Sequence, residues 1–284
     1  MTTTLTPPPP VAPGPPPRRP STAGTVIAIV AIVVGALVIG GTALSAFVST
    51  ASALGTRSET KTLALGGENV TGIDIDLSAG SLEIAFSPTI EDVRLEVTGS
   101  AGATGWTLRQ EGQVIRVASP QHSFVPGWWF GGPGRAVLQL PADYVADPLD
   151  AQLRISAGDL TAASGRFGTL SLDAGAGKAV ISGTAREVHA DLSAGAADLD
   201  LANVQTADLS VSAGAMTTRF TGTPPTIAAD VSAGSLVMSV PQAPYDVRSS
   251  VTAGSFENHL GTTPGAGQAI TVQVSAGQAV LRAG

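Results

Sequence analysis

The chain has 284 residues, enough for one or two domains, with 34 glycines, 20 prolines and aromatic residues at only 4%. It contains no cysteine, which excludes a disulfide framework and a thiolate metal site. A formal charge of −7 argues against a general nucleic-acid binder, because phosphate binding relies on clustered Lys and Arg.

Residues 1–23 hold nine of the 20 prolines and no apolar period, so they are predicted to form a disordered or polyproline-II tail. Arg18 and Arg19 close that tail, and the 24 residues from Thr25 to Val48 carry no charge. As a helix this run would be roughly 36 Å long, against a hydrocarbon core of about 30 Å. A single transmembrane α-helix is therefore expected over residues 24–48. The arginine pair on its N-terminal side puts the tail in the cytoplasm and the rest of the chain outside. Ala51-Ser52-Ala53 offers a signal-peptidase-like site, so retention and cleavage of the span both stay open; the length of the apolar run favours retention. Residues 49–61 read as a stalk. All 22 acidic residues and 13 of the 15 basic ones lie beyond the span, which gives the exported part a charge of −9. Abundant Ala and Gly, with two lysines against 13 arginines, point to a GC-rich bacterial genome.

Residues 62–284 are expected to form one extracytoplasmic all-β domain. Val70–Asp76, Leu82–Phe86, Val93–Val97, Trp106–Arg109 and Val114–Val117 alternate apolar and polar residues, the period of a half-buried strand. Glu111-Gly112 fits a hairpin turn between the last two. The stretch 119–135 breaks the pattern and reads as a loop carrying Phe124, Trp128, Trp129 and Phe130.

One phrase then organises the chain: aliphatic, small polar, Ala, Gly. Its glycines are Gly80, Gly158, Gly175, Gly195, Gly214, Gly234, Gly254 and Gly277, and from Gly158 the steps are 17, 20, 19, 20, 20 and 23 residues. The residue three before each glycine is aliphatic, the residue four before is polar, and the residue two after is mostly apolar. The inward set, at five, three and one before and two after, changes phase at glycine, as a strand does at a corner. Units of about 20 residues cannot bury an apolar face alone, but stacked units share a core. The expected fold is a β-solenoid of roughly 20-residue repeats; an antiparallel meander or sandwich is the alternative.

Little in the pattern points to chemistry. The column Ser78, Ser156, Ser193, Ser212, Ser232, Thr252 and Ser275 lacks a phased histidine to act as base, since His122, His189 and His259 are scattered. Hydroxyls bonding to the turn backbone account for it. Asp191 and Asp230 share a column with Asp76, and Asp198 and Asp200 follow one corner. A solvated polar face explains them, while a weak calcium site or a polysaccharide-active β-helix enzyme using these acidic columns is the alternative. No catalytic, metal or cofactor-binding residue is assigned. Phe124, Trp128, Trp129 and Phe130 are the candidate binding surface, with two readings: they stack on a glycan or partner protein, or they cover the open N-terminal end of the stack.

The run from Leu140-Pro141 through Ile155-Ser156-Ala157-Gly158-Asp159-Leu160, followed by the repeated apolar-Ser-Ala-Gly turns, resembles the bacterial putative-adhesin domains of unknown function, the toastrack-type β-solenoids. The resemblance covers about residues 63–284. It implies a domain outside a single membrane span, linked with surface attachment or envelope-stress signalling, and it carries over no catalytic residue. The expected function is that of a non-enzymatic cell-envelope scaffold for adhesion or stress sensing, with an envelope protein or glycan as partner. The last phrase lies close to Gly284 without a polar cap, so end-to-end pairing into a homo-oligomer is also expected.

Overall fold

The computed structural model describes residues 59–66, 70–99, 105–120, 134–141 and 148–284. The Pro-rich tail, the apolar span 24–48 and the four aromatic residues Phe124, Trp128, Trp129 and Phe130 lie outside the described residues. Among the described residues no helix is long and apolar enough to cross a membrane.

The described residues form an all-β domain with a sheet of 16 strands. These are β1 (Glu59–Leu65), β2 (Gly72–Leu77), β3 (Ser81–Ser87), β4 (Val93–Gly99), β5 (Thr107–Glu111), β6 (Val114–Ala118), β7 (Arg135–Pro141) and β8 (Leu149–Ala202). There follow β9 (Thr206–Val211), β10 (Ala215–Thr221), β11 (Thr226–Val231), β12 (Ser235–Val240), β13 (Tyr245–Val251), β14 (Ser255–Asn258), β15 (Gln268–Val274) and β16 (Gln278–Ala283). β1 begins inside the stretch read as a stalk; it is an edge strand whose Lys and Thr residues blur the alternation.

Strands before and after a corner belong to two parallel ladders. In the first, β6 pairs with β2, β2 with the start of β8, a later stretch of β8 with β9, β9 with β11, β11 with β15 and β15 with β13. In the second, β7 pairs with β3, β3 with β8, β8 with β10, β10 with β12, β12 with β16 and β16 with β14. The repeats therefore pair in parallel, which removes the meander and sandwich alternatives for this region of the chain. Antiparallel pairing is confined to β1, β4, β5 and their neighbours, where β4 lies against β7 and β5 against β6. The hairpin between β5 and β6 turns at Gly112-Gln113, with Gly112 at φ +62°, as a two-residue turn of that hand requires.

The ladders bury one aliphatic core. Three residues before the corner glycine, Leu77, Ile155, Leu192, Val211, Val231 and Val274 are all almost wholly buried. Two after it, Leu82, Leu160, Ala197, Met216, Leu236 and Ala279 are buried too. Each such Leu, Ile or Val stabilises by about 1.5–3 kcal/mol relative to leaving it in water.

The corners correct the sequence reading in three respects. First, the alanine before the glycine does not face inward: Ala157, Ala213, Ala233 and Ala276 are exposed. The phase change spans the whole Ser-Ala-Gly corner, so the inward residues are those five and three before and two and four after. Second, the hydroxyls do not hold the turn. Ser156, Ser193, Ser212 and Ser232 are exposed, and the corners are joined by backbone bonds: Ser212 N–H donates to Leu192 C=O (2.8 Å) and Ala213 N–H to Ser193 C=O (2.9 Å). The next corner repeats them with Ser232 to Val211 and Ala233 to Ser212.

Third, the glycines stack directly, and Gly177, not Gly175, occupies the column. A Cβ on Gly158 would strike the backbone of Gly80, and the same relation links Gly177 to Gly158, Gly195 to Gly177, Gly214 to Gly195, Gly234 to Gly214, Gly277 to Gly234 and Gly254 to Gly277. With Gly177 in place, Ala174 and Ala179 take the inward positions three before and two after, and both are fully buried. Gly175 sits beside the column, where a Cβ would lie 3.2 Å from Ser156 O.

Among the described residues Ser119, Thr218, Ser239 and Asp246 are buried polar side chains, Thr218 the most deeply. Thr218 on β10 is fully buried, and its hydroxyl has no hydrogen-bond partner among the described residues. It stands between Leu199 on β8 and Met238 on β12. Thr218→Val keeps the shape and removes an unsatisfied hydroxyl, so it is expected to raise stability by about 1–2 kcal/mol, measured by urea unfolding.

The spatial order at the C-terminal end is not the chain order. The units run β9–β10, β11–β12, β15–β16, β13–β14, so the unit that ends the chain lies one place in and β13–β14 is outermost. Val251 of β13, the large hydrophobic residue left exposed among the described residues (44%), belongs to that outer unit. The chain's last phrase is thus not the outermost one, and the unit at the uncapped end of the stack is β13–β14 instead.

Candidate functional site

The aromatic stretch joins β6 to β7 where the Ser-Ala-Gly repeats have a three-residue corner, and residues 100–106 join β4 to β5 on the same side. β6 is parallel to β2 and β7 to β3, so residues 119–134 connect β6 to β7 at the position that Ser78–Gly80 occupies between β2 and β3. Opening this corner removes the carbonyls that would accept from the next one. Ser119 replaces them: its backbone N–H donates to Asp76 C=O (3.0 Å), and its Oγ accepts from Ser78 N–H (2.8 Å) and Ala79 N–H (3.3 Å). Ser119 is accordingly buried, at 5% exposure. Where the chain returns, a Cβ on Gly134 would lie 3.6 Å from Nε1 of the buried Trp106. At that end Ser81 N–H donates to Gly134 C=O (3.3 Å). The edges of its unit are already paired, by β5 on one ladder and β4 on the other. The outer edges at this end of the stack are those of β5 and β1.

The acidic columns do not converge. Asp191 on β8 is in register with Ser210 on β9, which is in register with Asp230 on β11, so the two carboxylates are two strands, about 10 Å, apart. Both are exposed. Asp76 on β2 pairs instead with Arg154 and Ala118. Asp198 and Asp200 belong to the other ladder, opposite Thr217 and Arg219. A general acid needs a site that desolvates it and a partner held across one bond of substrate, and these residues offer neither. Nearby, His189 Nδ1 lies 3.2 Å from Asp208 Oδ2, both about half exposed. Asp74 is flanked by Arg154 (2.9 Å) and Arg116 (3.5 Å), a charged ladder of the kind that solvated sheet faces carry. Among the described residues no group of three or more His, Asp or Glu side chains is arranged to hold a metal ion.

A partly buried ionic contact, with Arg248 itself exposed, lies at the other end of the stack. Asp246 Oδ2 accepts from Arg248 Nη2 (2.7 Å) and from Gly265 N–H (3.4 Å), and the Arg248 hydrogen bond holds its carboxyl below the usual carboxylate range. Burial pushes the neighbouring Tyr245 phenol up.

These features define an all-β domain in which parallel-paired repeats follow an antiparallel N-terminal part. No family model matches the chain, and no curated protein matches it. It is similar in structure to a putative adhesin from Bacteroides fragilis NCTC 9343, at 13% identity and a TM-score of 0.43, over 80% of this chain and 98% of that one. It is also similar to a putative adhesin from Parabacteroides merdae ATCC 43184, at 11% identity and a TM-score of 0.42, over 79% and 96% of the two chains. A third likeness is to a putative lipid binding protein from Parabacteroides distasonis ATCC 8503, at 12% identity and a TM-score of 0.37, over 78% and 96%. At these TM-scores the likenesses identify neither a ligand nor an activity.

Proposed function

We propose that the chain is a membrane-anchored protein of the cell envelope whose β-solenoid domain is a non-enzymatic scaffold outside the cell, binding a protein or glycan partner through the loop 119–135. The domain then serves adhesion or the sensing of envelope stress. The observation that carries this reading is the opened corner between β6 and β7. Where the parallel repeats close their turns with three small residues ending in Ala-Gly, the β6–β7 connection inserts Phe124, Trp128, Trp129 and Phe130, and buried Ser119 accepts from the neighbouring corner. Large, rigid aromatic side chains provide contact area at little entropic cost. The anchor is read from the charge-free run Thr25–Val48 behind Arg18 and Arg19.

The test is capture of envelope proteins and glycans by the full chain and by a Trp128→Ala/Trp129→Ala variant. The expected result is at least tenfold weaker capture by the variant with an unchanged melting temperature. Equal capture by both would remove the loop from the function. Labelling of a single introduced cysteine, at Thr3 or at exposed Thr217, in intact cells tests the topology; only the second position should react.

A further inference from the structure

The order of the last two units has a consequence for how the chain associates. Links from the second ladder back to the first normally advance one place, as residues 203–205 and 222–225 do. The link 241–244 advances two places and the link 259–267 returns one, so β15–β16 fills a slot between β11–β12 and β13–β14. Without β15–β16, the outer unit β13–β14 loses both strands it pairs with.

Side chains dictate which unit takes the slot. At the inward positions β15–β16 carries Val272, Val274, Ala279 and Leu281, all buried. β13–β14 carries Ser249, Val251, Phe256 and Asn258 at the equivalent places. Exchanging the units would sink Ser249 and Asn258 into the core and force Phe256 into the place of Ala279. Only the C-terminal unit fits, and its fit is made by strand pairing and core packing that a β15–β16 from any copy would reproduce.

The covalent tether to that unit is long and open. Residues 259–267 are mostly exposed, and a Cβ at Gly261, Gly265 or Gly267 would meet nothing within 4 Å. Four hydrogen bonds fasten the tether to β13: Thr263 N–H to Tyr245 C=O (2.7 Å), Val247 N–H to Thr262 Oγ1 (3.0 Å), Thr262 Oγ1–H to Val247 C=O (3.3 Å) and Gly265 N–H to Asp246 Oδ2 (3.4 Å). Asn258 on β14 accepts from Leu260 N–H and donates to Gly261 C=O. Extended, nine residues reach about 30 Å, enough to enter a neighbouring molecule.

We propose that residues 268–284 are an exchangeable unit and that the slot of one copy accepts the β15–β16 pair of a second copy, giving a reciprocal, twofold dimer. This is independent of the partner-binding reading of the aromatic loop.

The absence of cysteine makes the test direct. Asp230 on β11 and Gln273 on β15 are exposed register neighbours on parallel strands, a spacing that a disulfide can bridge. Full-length Asp230→Cys and Gln273→Cys chains with different tags are unfolded, mixed, refolded together and oxidised. The control replaces Gln273→Cys by Ser210→Cys, which flanks Asp230 from β9, a strand that does not exchange. Exchange is expected to give at least ten times more mixed disulfide than the control, rising with protein concentration and rising further when Asp246→Asn loosens the tether. A mixed disulfide no more abundant than the control, while the Asp230→Cys/Gln273→Cys double variant closes within one chain, overturns the proposal. Failure of the double variant to close overturns it equally, because the slot would then not hold β15.

Discussion

Gly177→Ala is expected to destabilise the domain by about 3 kcal/mol, whereas Gly175→Ala, two residues away in the same phrase, should cost less than about 1 kcal/mol. The difference arises from what a methyl group would meet. At Gly177 the new Cβ would overlap the carbonyl oxygen of Gly158 and approach its nitrogen to 2.9 Å and Ile155 Cγ2 to 3.0 Å. Backbone on the adjacent strand is hydrogen-bonded and cannot step aside without breaking the ladder. At Gly175 the nearest atoms are Ser156 O at 3.2 Å and Ile155 O at 3.4 Å, a tight approach that a shift of a few tenths of an ångström relieves. For a domain of this size the first substitution corresponds to a fall of about 10 °C in melting temperature, and calorimetry on both variants measures it. Equal melting temperatures would mean that the corner column is not threaded through Gly177.

The second large effect is expected at Ser119. Ser119→Ala removes the acceptor of two backbone donors, Ser78 N–H and Ala79 N–H, at a corner whose neighbouring carbonyls have been carried away by the loop. Methyl cannot accept either bond, and water has little access at 5% exposure. The expected cost is about 2 kcal/mol, with amide exchange at Ser78 and Ala79 accelerated more than tenfold while corners such as Ser212–Gly214 keep their protection. A loss of protection spread evenly along the stack would show instead that Ser119 is merely one contact among many.

How far the sequence foretold this structure depends on the residue. The aliphatic columns were legible because burial leaves one kind of side chain at each inward position, and Leu192, Val211 and Val231 stand where the alternation puts them. The third corner was misread because Ala174-Gly175-Ala176-Gly177 offers two Ala-Gly pairs in succession, and Leu172 makes the wrong one look complete. Spacing held the answer: using Gly177 turns the steps of 17 and 20 into 19 and 18, closer to the others. The outward alanines were not legible, since an alanine suits either side of a bend. The inverted order of the last units was written in Ser249 and Asn258, polar residues at places where Val272 and Leu281 are apolar, yet chain order is the stronger habit of thought. At the candidate site the aromatic residues announce themselves, but Ser119 does not; its role exists only because two strands distant in sequence meet.

The insertion of the C-terminal unit also bears on force. A unit at the end of a stack is held by one ladder on each side of its corner and peels away bond by bond. β16 is bonded to β12 along one edge and to β14 along the other, so tension applied at Gly284 must break both ladders at once before the strand can leave. β16 is clamped on both edges, and a load drawn through it would be spread into both neighbouring units rather than taken by the outermost one.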